Sequence, residues 1–230
     1  GFVIIPGISA ANAPVQLATL TTSAVSSLTN ISATSGGNIT DDGGANITTR
    51  GVCYSINTNP TTADNITNDG NGTGSFTSNL SGLTASTTYY VRAYAINSAG
   101  TAYGNEVSFT TAPQLATLTT SAVSSLTNIS ATSGGNITDD GGANITTRGV
   151  CYSINTNPTT ADNITNDGNG TGSFTSNLSG LTTSTTYYVR AYATNSAGTA
   201  YGNELSFTTL APAPLAIGDS YQGGIIFYLD

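Results

Sequence analysis

The sequence predicts an all-β protein built as two tandem β-sandwiches, and three observations predict it. The first is vocabulary. Thr, Ser, Asn and Gly dominate the 230 residues while Lys, His, Met and Trp are absent, a composition of strands and tight turns rather than helices. The second is duplication: residues 16–111 recur as residues 114–209 at a period of 98, with only three of the 96 aligned positions different, which makes a whole domain the repeating unit. The third is spacing, because six or seven short alternating runs separated by turn signals fill each repeat, as in a sandwich.

Within the first repeat the elements follow in order from alternation and punctuation. Residues 17–25 supply a first strand and residues 30–35 a second. A third, over residues 48–56, follows the turn Asp41-Asp42-Gly43-Gly44. The long polar stretch 57–74 carries Asn59-Pro60 and several glycines, which marks a loop with at most a short edge strand. Residues 75–80, 88–97 and 101–111 complete the set. The three differences between repeats fit this reading. Ala85 against Thr183 lies in a polar turn, Ile96 against Thr194 suits a solvent-facing position, and Val107 against Leu205 keeps the apolar character of an inward one.

The run Leu83-Thr84-Ala85-Ser86-Thr87-Thr88-Tyr89-Tyr90-Val91-Arg92-Ala93-Tyr94-Ala95-Ile96-Asn97-Ser98-Ala99-Gly100, continued by Glu106-Val107-Ser108-Phe109-Thr110-Thr111, resembles the late-strand signature of fibronectin type III domains. Gly36-Gly37-Asn38-Ile39-Thr40, Thr49-Arg50-Gly51-Val52-Cys53-Tyr54 and Asn59-Pro60-Thr61 are similar to a subgroup repeated in bacterial surface proteins. The resemblance covers both repeats. It implies two fibronectin type III/immunoglobulin-like sandwiches, an extracellular or cell-surface setting and a structural or adhesive role without catalysis. It also implies that Tyr89 and Tyr187 are corner tyrosines, each with a hydroxyl bonded to loop backbone and a ring in the core. The pleat then places Val91, Ala93 and Ala95 inward with Tyr89, and turns Tyr90, Arg92 and Tyr94 outward. The Trp common early in such domains is missing, so the core rests on Tyr, Val, Leu and Phe.

The domain plan is therefore an apolar segment over residues 1–15, repeat 1 over 16–112, repeat 2 over 113–211, and a stiff linker with an apolar segment over 212–230. The join Ala112-Pro113 is too short and too stiff for free tumbling, which predicts a rod. The stretch from Ile217 to Asp230 resembles the opening of a further domain that follows such repeats in bacterial surface proteins. At the front, Phe2, Val3, Ile4 and Ile5 read either as a remnant of a secretion signal or as a strand that pairs with another molecule. With Ile225, Ile226 and Phe227 at the other end, the second reading predicts head-to-tail contact between copies of the chain.

Charge narrows the partners. Twelve carboxylates stand against four scattered arginines for a net charge of −8, which argues against nucleic acid. No run approaches the ~18 apolar residues of a membrane span. Cys53 and Cys151, one per repeat, do not form a disulfide framework. Each reads as a buried thiol packed as a small hydrophobe, with an intermolecular bridge as the other reading.

Chemistry is sparse. Without His the usual proton shuttle is missing, and Asp41-Asp42 and Asp139-Asp140 read as hairpin turns rather than as catalytic pairs. The loop from Asp64 to Gly74 has oxygen side chains spaced somewhat like a calcium loop, but Phe76 stands where the closing Glu belongs, so no metal and no cofactor are expected. Asn-x-Ser/Thr triplets occur at Asn30, Asn38, Asn46, Asn65, Asn71 and Asn79, and again at Asn128, Asn136, Asn144, Asn163, Asn169 and Asn177. They are possible sugar acceptors, and are also common by chance in such a composition. The triplet of side chains Tyr90, Arg92 and Tyr94, with its copy Tyr188, Arg190 and Tyr192, reads as a contact face for a partner such as a surface glycan, or equally as cross-strand pairing on an open sheet.

Overall fold

The computed structural model describes residues 14–212, 214, 220, 221, 224 and 225. The chain divides into two compact units at Pro113/Gln114. Both are all-β sandwiches, and the described residues contain no helix.

In the first unit, β1 (Thr19–Thr22), β2 (Ser32–Asp41) and β5 (Gly74–Ser81) form an antiparallel sheet in the order β1-β2-β5. The second sheet runs β4 (Asn65–Ile66), β3 (Thr49–Ser55), β6 (Thr88–Asn97), with β7 (Gly100–Tyr103) and β8 (Val107–Thr110) sharing the far side of β6. Alternation explains how they close on each other. On β6, Tyr89, Val91, Ala93 and Ala95 point inward, as the two-residue period of a pleated strand requires, to meet Leu20, Ile39, Phe76 and Leu80 of the facing sheet. The second unit repeats the arrangement with β9 (Thr117–Thr120), β10 (Ser130–Asp139) and β13 (Gly172–Ser179) against β12 (Asn163–Ile164), β11 (Thr147–Ser153), β14 (Thr186–Asn195), β15 (Gly198–Tyr201) and β16 (Leu205–Thr208). Beyond it, β17 (Ser220–Tyr221) pairs antiparallel with β18 (Gly224–Ile225). Phe2, Val3, Ile4, Ile5, Ile226 and Phe227 lie outside the described residues.

Three elements differ from the sequence expectation. The second strand does not stop at Ser35 but continues through two glycines to Asp41. A Cβ on Gly36 would stand 2.1 Å from the Phe76 carbonyl oxygen, and one on Gly37 would stand 2.6 Å from the Ala93 Cβ. These glycines let backbone and side chains approach closely rather than ending the strand. The last strand is two strands, because Gly104-Asn105-Glu106 leave the sheet between β7 and β8. There Thr22 N–H donates to Asn105 Oδ1 at 3.0 Å, and the Thr22 hydroxyl accepts the Ala93 N–H at 2.9 Å. Asp41-Asp42-Gly43-Gly44 is not a hairpin turn, since β2 and β3 belong to different sheets. It is an arch across the sandwich, in which Asp41 and Asp42 accept the N–H groups of Gly43 and Gly44 at 2.8 and 2.9 Å. Gly43 and Gly44 have φ of 72° and 84°, values for which glycine is favoured. Asp139-Asp140 form the same arch between β10 and β11.

Candidate functional site

The outer face of the larger sheet is shaped by the 57–73 loop. The loop folds back over β3 and β6 and is tied down along its length. The Cys53 thiol donates to Pro60 O at 3.3 Å, the Thr62 N–H to the Tyr103 hydroxyl at 3.1 Å and the Thr67 N–H to Val52 O at 2.9 Å. Asp69 accepts the Thr67 hydroxyl at 2.7 Å and also the Ser78 hydroxyl, so this carboxylate is engaged by two donors. At the other end of the loop, the Glu106 carboxylate accepts the Asn59 N–H. Among the described residues no group of three or more acidic or thiol side chains is arranged to hold a metal ion.

Tyr94 and Tyr192 leave the outward face of their strands as alternation predicts, but their reading as an exposed contact face is overturned. The loop covers them, and their exposures are 1% and 2%. The Tyr94 hydroxyl donates to Thr67 O at 2.7 Å, and Tyr192 makes the same bond to Thr165 O. The space for the ring comes from Gly51, which pairs with Tyr94 across the strands; a Cβ there would sit 2.9 Å from the ring and 2.2 Å from Thr67 O. Burial, and then the Asp69 carboxylate, pushes the Tyr94 hydroxyl above its ordinary pKa.

Arg92 is only half-buried, and its guanidinium lies 4.7 Å over the Tyr103 ring while Nε donates to Gly104 O at 3.0 Å. Arg190 does the same with Tyr201 and Gly202. Tyr90 and Tyr188 are half-buried. The expected row Tyr-Arg-Tyr is thus broken in each unit, with one ring sealed and the guanidinium turned to its own loop. Tyr89 and Tyr187 lie on the core side, stacked on Phe109 and Phe207 at 5.8 Å, and their hydroxyls accept the N–H groups of Thr84 and Thr182 at 3.2 and 3.1 Å.

Both cysteines are free and fully buried. Burial pushes each thiol up to about 11, against a partial lowering by Arg92 or Arg190. At neutral pH they are protonated packing groups rather than nucleophiles.

The twelve Asn-x-Ser/Thr asparagines fall into distinct settings. Asn30 and Asn128 are half-buried in the turn before β2 and β10. Asn38 and Asn136 accept the hydroxyls of Ser75 and Ser173, and Asn79 and Asn177 those of Thr34 and Thr132. Asn65 and Asn163 donate to Tyr54 O and Tyr152 O. Asn46 and Asn71 are exposed and come together in space: with Asp42, Ile47, Thr48, Gly72 and Thr73 they line a concavity of about 580 Å³ between the 41–48 arch and the end of the long loop. Asn144 and Asn169 line its counterpart of about 530 Å³ in the second unit. In the sequence these residues are separate candidate sugar acceptors, and nothing in their spacing along the chain indicates a shared site.

No family model matches the chain, and no curated protein matches it. The fibronectin type III likeness rests on the residues quoted above.

Proposed function

We propose that the chain is a non-catalytic extracellular structural protein, a subunit of a cell-surface filament or stalk whose copies join head to tail through their apolar terminal segments. One observation carries this reading: in each sandwich the charged side chains that chemistry would need are engaged within the unit. Arg50 donates to Asp69 O, Gly72 O and Thr73 O and stacks over Phe76 at 5.2 Å, Arg92 holds Gly104, Asp69 holds two hydroxyls and Glu106 holds Asn59. The second unit repeats every one of these bonds, so the chain carries two copies of a self-sufficient scaffold. Assembly is supported by β5, an eight-residue strand at the edge of its sheet. Such an edge accepts an added strand, and the apolar run Phe2, Val3, Ile4 and Ile5 has the composition of one. Pro6 ends it, as it has no N–H to donate.

The test is light scattering and electron microscopy of the chain with and without residues 1–8. The full chain forms filaments and the truncated chain stays monomeric; equal polymerisation of the two removes the N-terminal segment as connector. The alternative reading, a spacer or glycan-binding module of a larger secreted adhesin or enzyme, is favoured by one observation of its own, the paired polar concavities.

A further inference from the structure

We propose that the concavity between the 41–48 arch and the 71–73 turn, present once in each unit, is a binding site for a neutral, hydroxyl-rich ligand, a saccharide. The inference rests on the binding-module reading and is independent of assembly.

The concavity is built before any ligand arrives. The walls are held from behind: Arg50 Nη1 donates to Gly72 O at 3.2 Å and to Thr73 O at 2.9 Å, and Gly72 N–H donates to Ile47 O at 3.1 Å. Asp42 is oriented by the Gly44 N–H at 2.9 Å, and the buried side chain of Ile47 anchors the arch. A site whose groups are positioned before the ligand arrives loses less entropy on binding.

Its polar groups suit hydroxyls. Among the described residues the side-chain amides of Asn46 and Asn71 have no partner within the unit, whereas those of Asn38, Asn65 and Asn79 each have one. A primary amide presents an acceptor and two donors side by side, and a carboxylate adds acceptors. That set matches sugar hydroxyls, each of which donates and accepts. Other ligand classes fit worse. The guanidinium of Arg50 is turned to the wall carbonyls, so no cation faces an anion; a single carboxylate is too few for a divalent cation; and among the lining residues there is no aromatic ring for a base to stack on.

The concavity recurs. Asp140, Asn144, Thr146, Asn169 and Thr171 rebuild the site in the second unit, with Arg148 bonded to Gly170 O and Thr171 O.

The test uses the full chain, labelled with ¹⁵N, titrated separately with cellotetraose, chitotetraose and mannotetraose and followed by amide shifts. At least one of them binds weakly, with a Kd on the order of a millimolar as suits an open, hydrated site, and shifts cluster at residues 42–48 and 71–73 and their copies. Replacing Asn46, Asn71, Asn144 and Asn169 by Ala weakens that binding at least about tenfold with an unchanged melting temperature. If that variant does not fold, Thr73→Val with Thr171→Val is used, with weakened binding again expected. No shift with any of the three sugars, shifts clustered elsewhere, or binding unaffected by the substitutions would overturn the proposal. So would hexose mass on Asn46 or Asn71 in the chain from its native source, which would make these asparagines acceptors rather than recognition groups. None of these outcomes bears on whether the chain polymerises.

Discussion

Tyr89 and Tyr94 lie on the same strand, five positions apart and on opposite faces, and both are buried. Tyr89 is covered by the facing sheet and stacks on Phe109, so its burial is that of an ordinary sandwich core. Tyr94 is covered by a loop that is largely polar, with Pro60 as its fully buried apolar residue. The seal comes from hydrogen bonds along β3, from the Asp69 carboxylate between two hydroxyls and from a glycine that leaves room for the ring. A sheet face can be closed by hydrogen bonding as well as by apolar packing. The two kinds of closure respond differently to substitution, and because an unmodified unit remains in the same chain, a change in one unit has an internal reference.

The largest effect is expected at Gly51. Gly51→Ala places a methyl group 2.2 Å from Thr67 O, which only a backbone shift relieves. The first unit should lose roughly 3 kcal/mol or more, visible as a split urea transition with the second unit unmoved. An unsplit transition would mean that the loop is not pressed onto β3.

Alkaline pH comes next. The thiols of Cys53 and Cys151 have an ordinary value of 9.0 and about 11 when folded. Between those values the unfolded chain has released protons that the folded chain still holds, so stability is whole below pH 9 and falls as pH rises toward 11. At ~1.4 kcal/mol per pH interval the loss reaches roughly 2–3 kcal/mol per unit. Tyr54 and Tyr94, raised chiefly by burial, act in the same direction above their ordinary value. Replacing both cysteines by Ala should flatten the early part of the curve in equilibrium denaturation at stepped pH.

The tyrosines themselves give the direct comparison. Tyr94→Phe removes the 2.7 Å bond and leaves Thr67 O unpaired beneath the loop, at an expected cost of about 1–2 kcal/mol. Tyr89→Phe removes a longer bond to the Thr84 N–H at a solvent-facing corner, where water substitutes, and should cost about 0.5–1 kcal/mol. The reverse order in denaturant melts would show that the loop is a loose cover. Smallest of all is Ile96→Thr, the change that the second unit already carries. Thr194 bonds the Thr199 hydroxyl across the strands at 2.9 Å, so the exchange should move stability by less than ~0.5 kcal/mol.

Much of the sandwich was legible because its determinants are local. Alternation places Tyr89, Val91 and Ala93 inward, and β6 begins and ends where the residues predict. Alternation tells which side of a strand a residue leaves from, and says nothing about what covers that side. Tyr94 therefore read as exposed, since its cover comes from Thr67 and Asp69, which are distant in sequence and polar in character. Gly36-Gly37 read as an end for the same reason: their purpose, close approach to Phe76 and Ala93, exists only in the packed fold. Asp41-Asp42-Gly43-Gly44 declared a turn correctly, but composition does not distinguish a link within a sheet from an arch between two. Asn46 and Asn71 carry no mark in the chain that they will share a concavity.

Thr22 gives the fold a mechanical property. It lies on β1 near the entry to the first unit, donates its hydroxyl proton to Asn105 O just before the exit strand β8, and accepts the Ala93 N–H from the middle of β6. A pull applied through the two chain ends of the unit draws β1 away from β6 and from the segment that leads into β8, and loads both bonds of this clasp. Thr120, Asn203 and Ala191 form the same clasp in the second unit. Stretched chains should therefore lengthen in discrete steps, one per sandwich, with the strands of each unit intact until its clasp gives way.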